Sequence, residues 1–183
     1  MPVLIIFGVL ILIIVIFMIS TYNTLVKSRN NVRNSFAQID TQLQRRFDLI
    51  PNLVETVKGF AHHEKELFES IAASRSKYMN ASTSEEKMAV NSQLTPALNR
   101  LFAIAESYPE LKANAGFVNL QEELTETEDK IAFSRQFYND AVTIYNNKIQ
   151  MFPNNMVAGM FGFREEALFN ADDRASEAPQ VKF

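Results

Sequence analysis

A chain of 183 residues has room for one domain with extensions and little for two. It has no cysteine, which excludes a disulfide scaffold, a thiol nucleophile and Cys-based zinc or iron–sulfur sites. Two adjacent histidines offer little for histidine-based metal or acid–base chemistry, and a net charge of -3 argues against a dedicated nucleic-acid binder. With five glycines and six prolines there is no long low-complexity linker.

The apolar residues are unevenly spread. Residues 3–19 (VLIIFGVLILIIVIFMI) are uncharged and almost wholly aliphatic, and no charged side chain appears until Lys27. At the helical rise, residues 2 to about 22 span a hydrocarbon core of roughly 30 Å. Val3, Leu4, Ile5, Ile6, Phe7, Leu10, Ile13, Ile16 and Phe17 are expected to anchor the chain in a lipid bilayer. A cleavable signal would show a basic n-region, a shorter apolar run and small residues before the cut. The run here shows none of these, so an uncleaved anchor over residues 1–22 is expected. Lys27, Arg29 and Arg33 follow the run, with no acid until Asp40. By the positive-inside rule the chain is then a single-pass membrane protein whose basic side stays in the cytosol. Its N-terminus lies outside and its C-terminal domain is cytoplasmic.

Beyond the run, apolar residues step by three and four: Val32, Phe36, Ile39, Leu43, Phe47 and Ile50, then Leu53, Val57, Phe60, Leu67, Ile71 and Tyr78. That spacing predicts amphipathic helices. Pro51 is read as a helix break, with Asp48 as the cap of the next helix; the alternative is a kink in one long helix. Residues 80–84 (NASTS) form a turn in which Ser82 and Glu85, or Thr83 and Glu86, would make a capping box. Pro96 predicts a kink or a late start in the third helix, and Tyr108–Pro109 a second break that ends it. The expected helices cover 22–48, 52–79, 84–107 and 118–151. Short turns between segments of comparable length make an antiparallel four-helix bundle over residues 23–152 the simplest architecture. Phe36, Leu43, Leu53, Val57, Leu98, Leu124 and Ile131 should share its core. Residues 153–183 read as an irregular tail, rich in Met and Phe at first and solvated over 172–181.

The block RRFDLIPNLVETVKGFAHHE at residues 45–64 resembles the signature of the LemA family. Residues 106–112 (ESYPELK) and 117–124 agree, as do Glu128, Ile131, Arg135, Tyr138–Asn139, Val142 and Tyr145–Asn146. So do Phe152–Asn155, Phe161–Phe163 and the closing Val181-x-Phe183. Pro96 departs from the pattern, which has a small residue or serine there. The resemblance implies a bacterial protein with one N-terminal span and a helical-bundle soluble part. No enzymatic activity is established for the family. One relative helps to build the magnetosome membrane, which points to membrane organisation; others are encoded near membrane metallopeptidases, which points to an accessory role.

Candidate sites are few. His62 and His63 point about 100° apart on a helix and cannot chelate one metal together. H-H-E-K-E lacks the H-E-x-x-H spacing, and Glu55, Glu66 and Glu69 do not form the Glu-x-x-His pairs of a di-iron bundle. Neither a phosphate-binding glycine loop nor a nucleophile elbow is present. No catalytic residue, metal or cofactor is expected. Arg46 and Arg135 fall at or beside apolar seams. They either snorkel or form a structural network with Glu128, seven residues before Arg135. Tyr138 and Tyr145, also seven apart, should bury their rings and bond their hydroxyls.

The sequence therefore reads as an all-α, non-enzymatic scaffold or organiser, self-associating at the membrane. The alternative is an adaptor or accessory subunit for a membrane peptidase or a signalling protein. Expected partners are the lipid bilayer, further copies of the chain and a membrane protein, with no nucleic acid. Met156, Val157, Met160, Phe161, Phe163 and Phe169 are expected to touch lipid or a neighbouring subunit.

Overall fold

The structure, a computed structural model, describes residues 2–61 and 63–169; Met1, His62 and residues 170–183 lie outside the described part. Six helices and no strand occur among the described residues: α1 (Pro2–Lys58), α2 (Lys65–Asn80), α3 (Ser84–Ala105), α4 (Pro109–Lys112), α5 (Ala115–Gln150) and α6 (Asn154–Met160). The all-α class is as expected. The lengths are not comparable, because α1 has 57 residues, α2 16, α3 22 and α5 36.

The difference begins at Pro51, which does not break the helix but lies inside α1. An interior proline leaves the carbonyl four residues earlier without its N–H partner, at a cost of about 3 kcal/mol or more. Here that carbonyl belongs to Phe47, whose residue is fully buried. The Arg75 Nε–H of α2 donates to it at 3.3 Å. On either side of Pro51, Phe47, Ile50, Leu53, Val54 and Val57 are buried, so one apolar face runs through the proline. Burial of that face and the donor from α2 keep α1 helical until Lys58.

Pro96 is also interior to its helix, α3. It leaves the carbonyl of Ser92 free, but Ser92 is exposed and solvent can meet that group. Thr83 caps α3: its Oγ1 accepts the Glu86 N–H at 3.1 Å, while the Glu86 carboxylate accepts the Thr83 N–H at 3.2 Å. The Ser82 N–H, at 2.7 Å, and the Thr83 N–H both donate to the Glu86 carboxylate and hold it below its ordinary pKa. Pro109 occupies the first turn of α4, behind an extended Tyr108. Asn114 Oδ1 accepts the Phe117 N–H at 3.1 Å at the start of α5.

The described chain divides into two compact units. One comprises Met1–Ser35 and Gln136–Leu168; the other comprises Phe36–Arg135 with Phe169. In the second, α2 runs antiparallel to α1, since Tyr78 meets Asp40 and Arg75 meets Phe47. In the same unit α3 runs parallel to α1, with Lys87 on Asp40 and Thr95 on Arg46. Leu43, Leu53, Val57, Leu98, Leu124 and Ile131 are buried there, as expected. Phe36 is the exception, at intermediate exposure near the unit's edge.

In the first unit, α1 changes character at a sharp boundary. Pro2 to Ser20 are exposed apart from a half-buried Met18, and burial begins with Thr21 and Leu25. From there Ser28 and Val32 are buried, as are Val142, Tyr145 and Ile149 of α5, and Lys148 donates to Ser28 Oγ at 3.4 Å.

Candidate functional site

All nine expected anchor residues lie on the bare part of α1. Val3, Leu4, Ile5, Ile6, Phe7, Leu10, Ile13, Ile16 and Phe17 are between 40% and 74% exposed. An apolar surface that continuous far exceeds the few hundred Å² that a soluble monomer leaves open. The helix is long and apolar enough over this stretch to cross a membrane.

The start of the tail returns to this end of α1. The α6 helix closes with a turn readable in Phe161-Gly-Phe163. Gly162 has φ +68°, the Phe163 N–H bonds the Ala158 carbonyl at 3.0 Å, and the Gly162 N–H bonds that of Gly159 at 3.4 Å. This is a Schellman ending, and it turns Phe163 inward. The Phe163 ring lies 5.7 Å from Tyr22 and 4.9 Å below the Arg29 guanidinium; Phe161 lies 4.8 Å from Tyr22.

Side chains of α5 then hold the extended tail by its backbone. Tyr145 donates to the Arg164 carbonyl and Tyr138 to that of Ala167, both at 2.9 Å. Asn146 grips Glu166 twice, donating from Nδ2 at 2.9 Å and accepting the Glu166 N–H at Oδ1 at 3.0 Å. The seven-residue spacing of the tyrosines thus serves as a strap. Burial raises the Tyr145 hydroxyl above its ordinary pKa, as does the nearby Glu166 carboxylate.

This strap corrects half of the expected contact surface. Val157, Phe163 and Phe169 are buried, at 3%, 9% and 3% exposure, because they fill the molecule's own packing. Met156, Met160 and Phe161 remain open at 64%, 70% and 52%, joined by Met151 and Phe152.

The second unit holds a polar core. Arg46, 1% exposed, donates to Asn91 Oδ1 and to Thr95 Oγ1 (3.1 Å) of α3 and pairs with Glu128 of α5 at 2.5 Å. It does not snorkel, and Glu128 meets Arg46 instead of completing a network with Arg135. The Arg135 guanidinium stands 6.0 Å from the Phe169 ring. The two arginines differ in that Arg46 faces two polar residues of α3, whereas Arg135 lines a cavity of about 230 Å³. Asn91, Thr95, Glu128 and Phe169 also line it.

A neighbouring cluster escaped the sequence reading. Asp40 accepts the Tyr78 hydroxyl at 2.7 Å and the Lys87 ammonium at 2.6 Å, while Tyr78 stacks on Phe47 at 4.1 Å. Burial, then the hydrogen bond to Asp40, pushes the Tyr78 hydroxyl well above its ordinary pKa. Asp40 is the first acid of the chain, the one signal that could have drawn attention to it. His63 is exposed, and among the described residues no three His, Asp or Glu side chains gather to hold a metal.

These features define an all-helical protein with an N-terminal helix fit to cross a membrane and a strapped C-terminal segment. The chain belongs to the LemA family, whose pattern matches residues 35–183. It is 27% identical over 152 residues to Protein LemA of Metamycoplasma hominis, covering 82% of this chain and 69% of that one. It is also similar to Magnetosome protein MamQ 2 of Paramagnetospirillum magneticum, with 26% identity over 87% of this chain and 70% of the relative. Magnetosome protein MamQ of Magnetospirillum gryphiswaldense is 24% identical over the same shares.

Proposed function

We propose that this protein is a non-enzymatic helical scaffold, anchored in the cytoplasmic membrane by the first part of α1 and self-associating in the membrane plane. The observation that carries the reading is the boundary at Thr21, where a bare aliphatic helix becomes a packed one. In water the bare segment would be a severe liability; in hydrocarbon it is satisfied. Lys27, Arg29 and Arg33 beside that boundary favour a cytoplasmic location for everything after it. Self-association is supported by α5, where Phe137 and Ile144, seven residues apart on one stripe, are 49% and 52% exposed. Copies held in one bilayer would present such a stripe at equal height. The names of the magnetosome relatives are compatible with work at a membrane.

Mass measurement of the full chain in mild detergent tests the scaffold. A uniform homo-oligomer supports it; a monomer that leaves the membrane with a second protein turns the reading to an adaptor. Protease added to intact cells should spare everything beyond Lys27, and cleavage from outside would reverse the orientation.

A further inference from the structure

We infer that residues 151–161 form a foot that rests in the headgroup layer of the bilayer crossed by α1, so that the chain meets its membrane twice. The inference rests on the anchor reading above.

Three observations converge. Met151, Phe152, Met156, Met160 and Phe161 are 52–79% exposed, yet they belong to a segment whose other side is packed: Val157 and Ala158 are both 3% exposed. A short helix with one buried face and Met and Phe on the other has an amphipathic composition suited to an interface. The second observation is height. Phe161 touches Tyr22, one helical turn beyond Ile19 at the end of the apolar run. A tyrosine just past a hydrocarbon-spanning segment sits at headgroup level, and its ring partner shares that level. The third is charge. The first unit carries Lys27, Arg29, Arg33, Lys148 and Arg164 against Asp140, Glu165 and Glu166, the Glu165 carboxylate accepting from the Gln150 amide at 2.8 Å, and every charge on its stretch of α1 just past the apolar run is positive. An excess of positive charge in the unit that bears the exposed Met and Phe side chains suits an anionic lipid surface. It favours lipid over a second copy of this chain, which would bring the same positive charge to the contact.

The foot also explains why the strap exists. Tyr138, Tyr145 and Asn146 fix the tail just after the foot, and the Schellman turn fixes its near end, so the Met and Phe side chains are held to one side.

The test uses the absence of cysteine in the chain, which makes single labels unambiguous. Full-length Met160→Cys, Leu10→Cys and Glu110→Cys proteins carry a nitroxide in vesicles of phosphatidylcholine and phosphatidylglycerol. Collision rates with oxygen and with a water-soluble nickel complex then report depth. The label at 160 should show nickel collisions several-fold below those at 110 and raised oxygen collisions, while the label at 10 lies deep. Phosphatidylcholine alone should move 160 outward and leave 10 unchanged. If 160 is as open to nickel as 110 while 10 stays deep, the foot is wrong and the anchor stands. Shielding of 160 from both reagents would mean a protein contact and also overturn the foot. A water-accessible label at 10 removes the anchor and the foot with it.

Discussion

Arg46 is a guanidinium almost wholly out of water, and such a group is tolerable only when its charge and its N–H donors are met. Removing one partner of a fully buried ion pair costs roughly 3–5 kcal/mol. Glu128 keeps 43% of its side chain exposed, so water screens it and Glu128→Ala should cost about 1–3 kcal/mol in a denaturant titration. A double-mutant cycle for Arg46 and Glu128 should give a coupling above about 1 kcal/mol, while Arg135 and Glu128 should add within about 0.5 kcal/mol. The reverse ranking would restore the Arg135 network. Tyr78 supplies a pH prediction. Its folded pKa lies above the ordinary 10.0, so the folded state favours the protonated hydroxyl. That contribution is complete below about pH 10 and is lost as pH rises toward the folded value. Stability should therefore fall on the alkaline side, and Tyr78→Phe, though less stable near neutrality, should fall less steeply. Equal slopes for the two proteins would remove Tyr78 as the cause.

Among the elements, what was legible in the sequence was whatever depends on near neighbours. A capping box within residues 82–86, in one of two registers, the apolar stripe of each long helix and the stop at Tyr108–Pro109 follow from spacing alone. Pro51 misled because the rule for proline is local, whereas its compensation comes from Arg75, 28 residues beyond the Phe47 carbonyl that it meets. The tail was misjudged for a related reason. Tyr138, Tyr145 and Asn146 bond main-chain atoms of 164, 166 and 167, and a backbone carbonyl carries no side-chain signature. Nothing in the sequence told Arg46 from Arg135 either, because the difference is the polar face of α3. Gly162 is the readable exception, since a glycine between two phenylalanines after a short helix marks a left-handed ending. A Cβ there would meet no atom, so Gly162→Ala isolates the backbone term and should cost about 1 kcal/mol. If instead its stability matches the parent within error, the turn does not fix the tail.

At the scale of the whole molecule, one compact unit lies inside the other along the chain: Phe36–Arg135 interrupts a unit formed by the residues before and after it. That nesting sets an order of events during synthesis. The inner unit is nearly continuous in sequence and can fold while the ribosome is still making α6. The outer one cannot close until Phe161 and Phe163 have emerged to meet Tyr22, about 140 residues behind them. Joining Ser35 to Gln136 across an unfolded stretch would carry the loop-closure entropy of a hundred-residue loop. Once the inner unit has formed, its two ends already run together, because Arg46 meets Glu128, and most of that entropy has been spent. Pulse-labelled hydrogen exchange during refolding in lipid should accordingly protect α2 and α3 before the stretch from Leu25 to Val32; simultaneous protection would show that the units fold as one. A nascent chain halted at Gln150 would then be a half-built protein, its inner unit folded and Tyr22 still without the two phenylalanine rings that meet it.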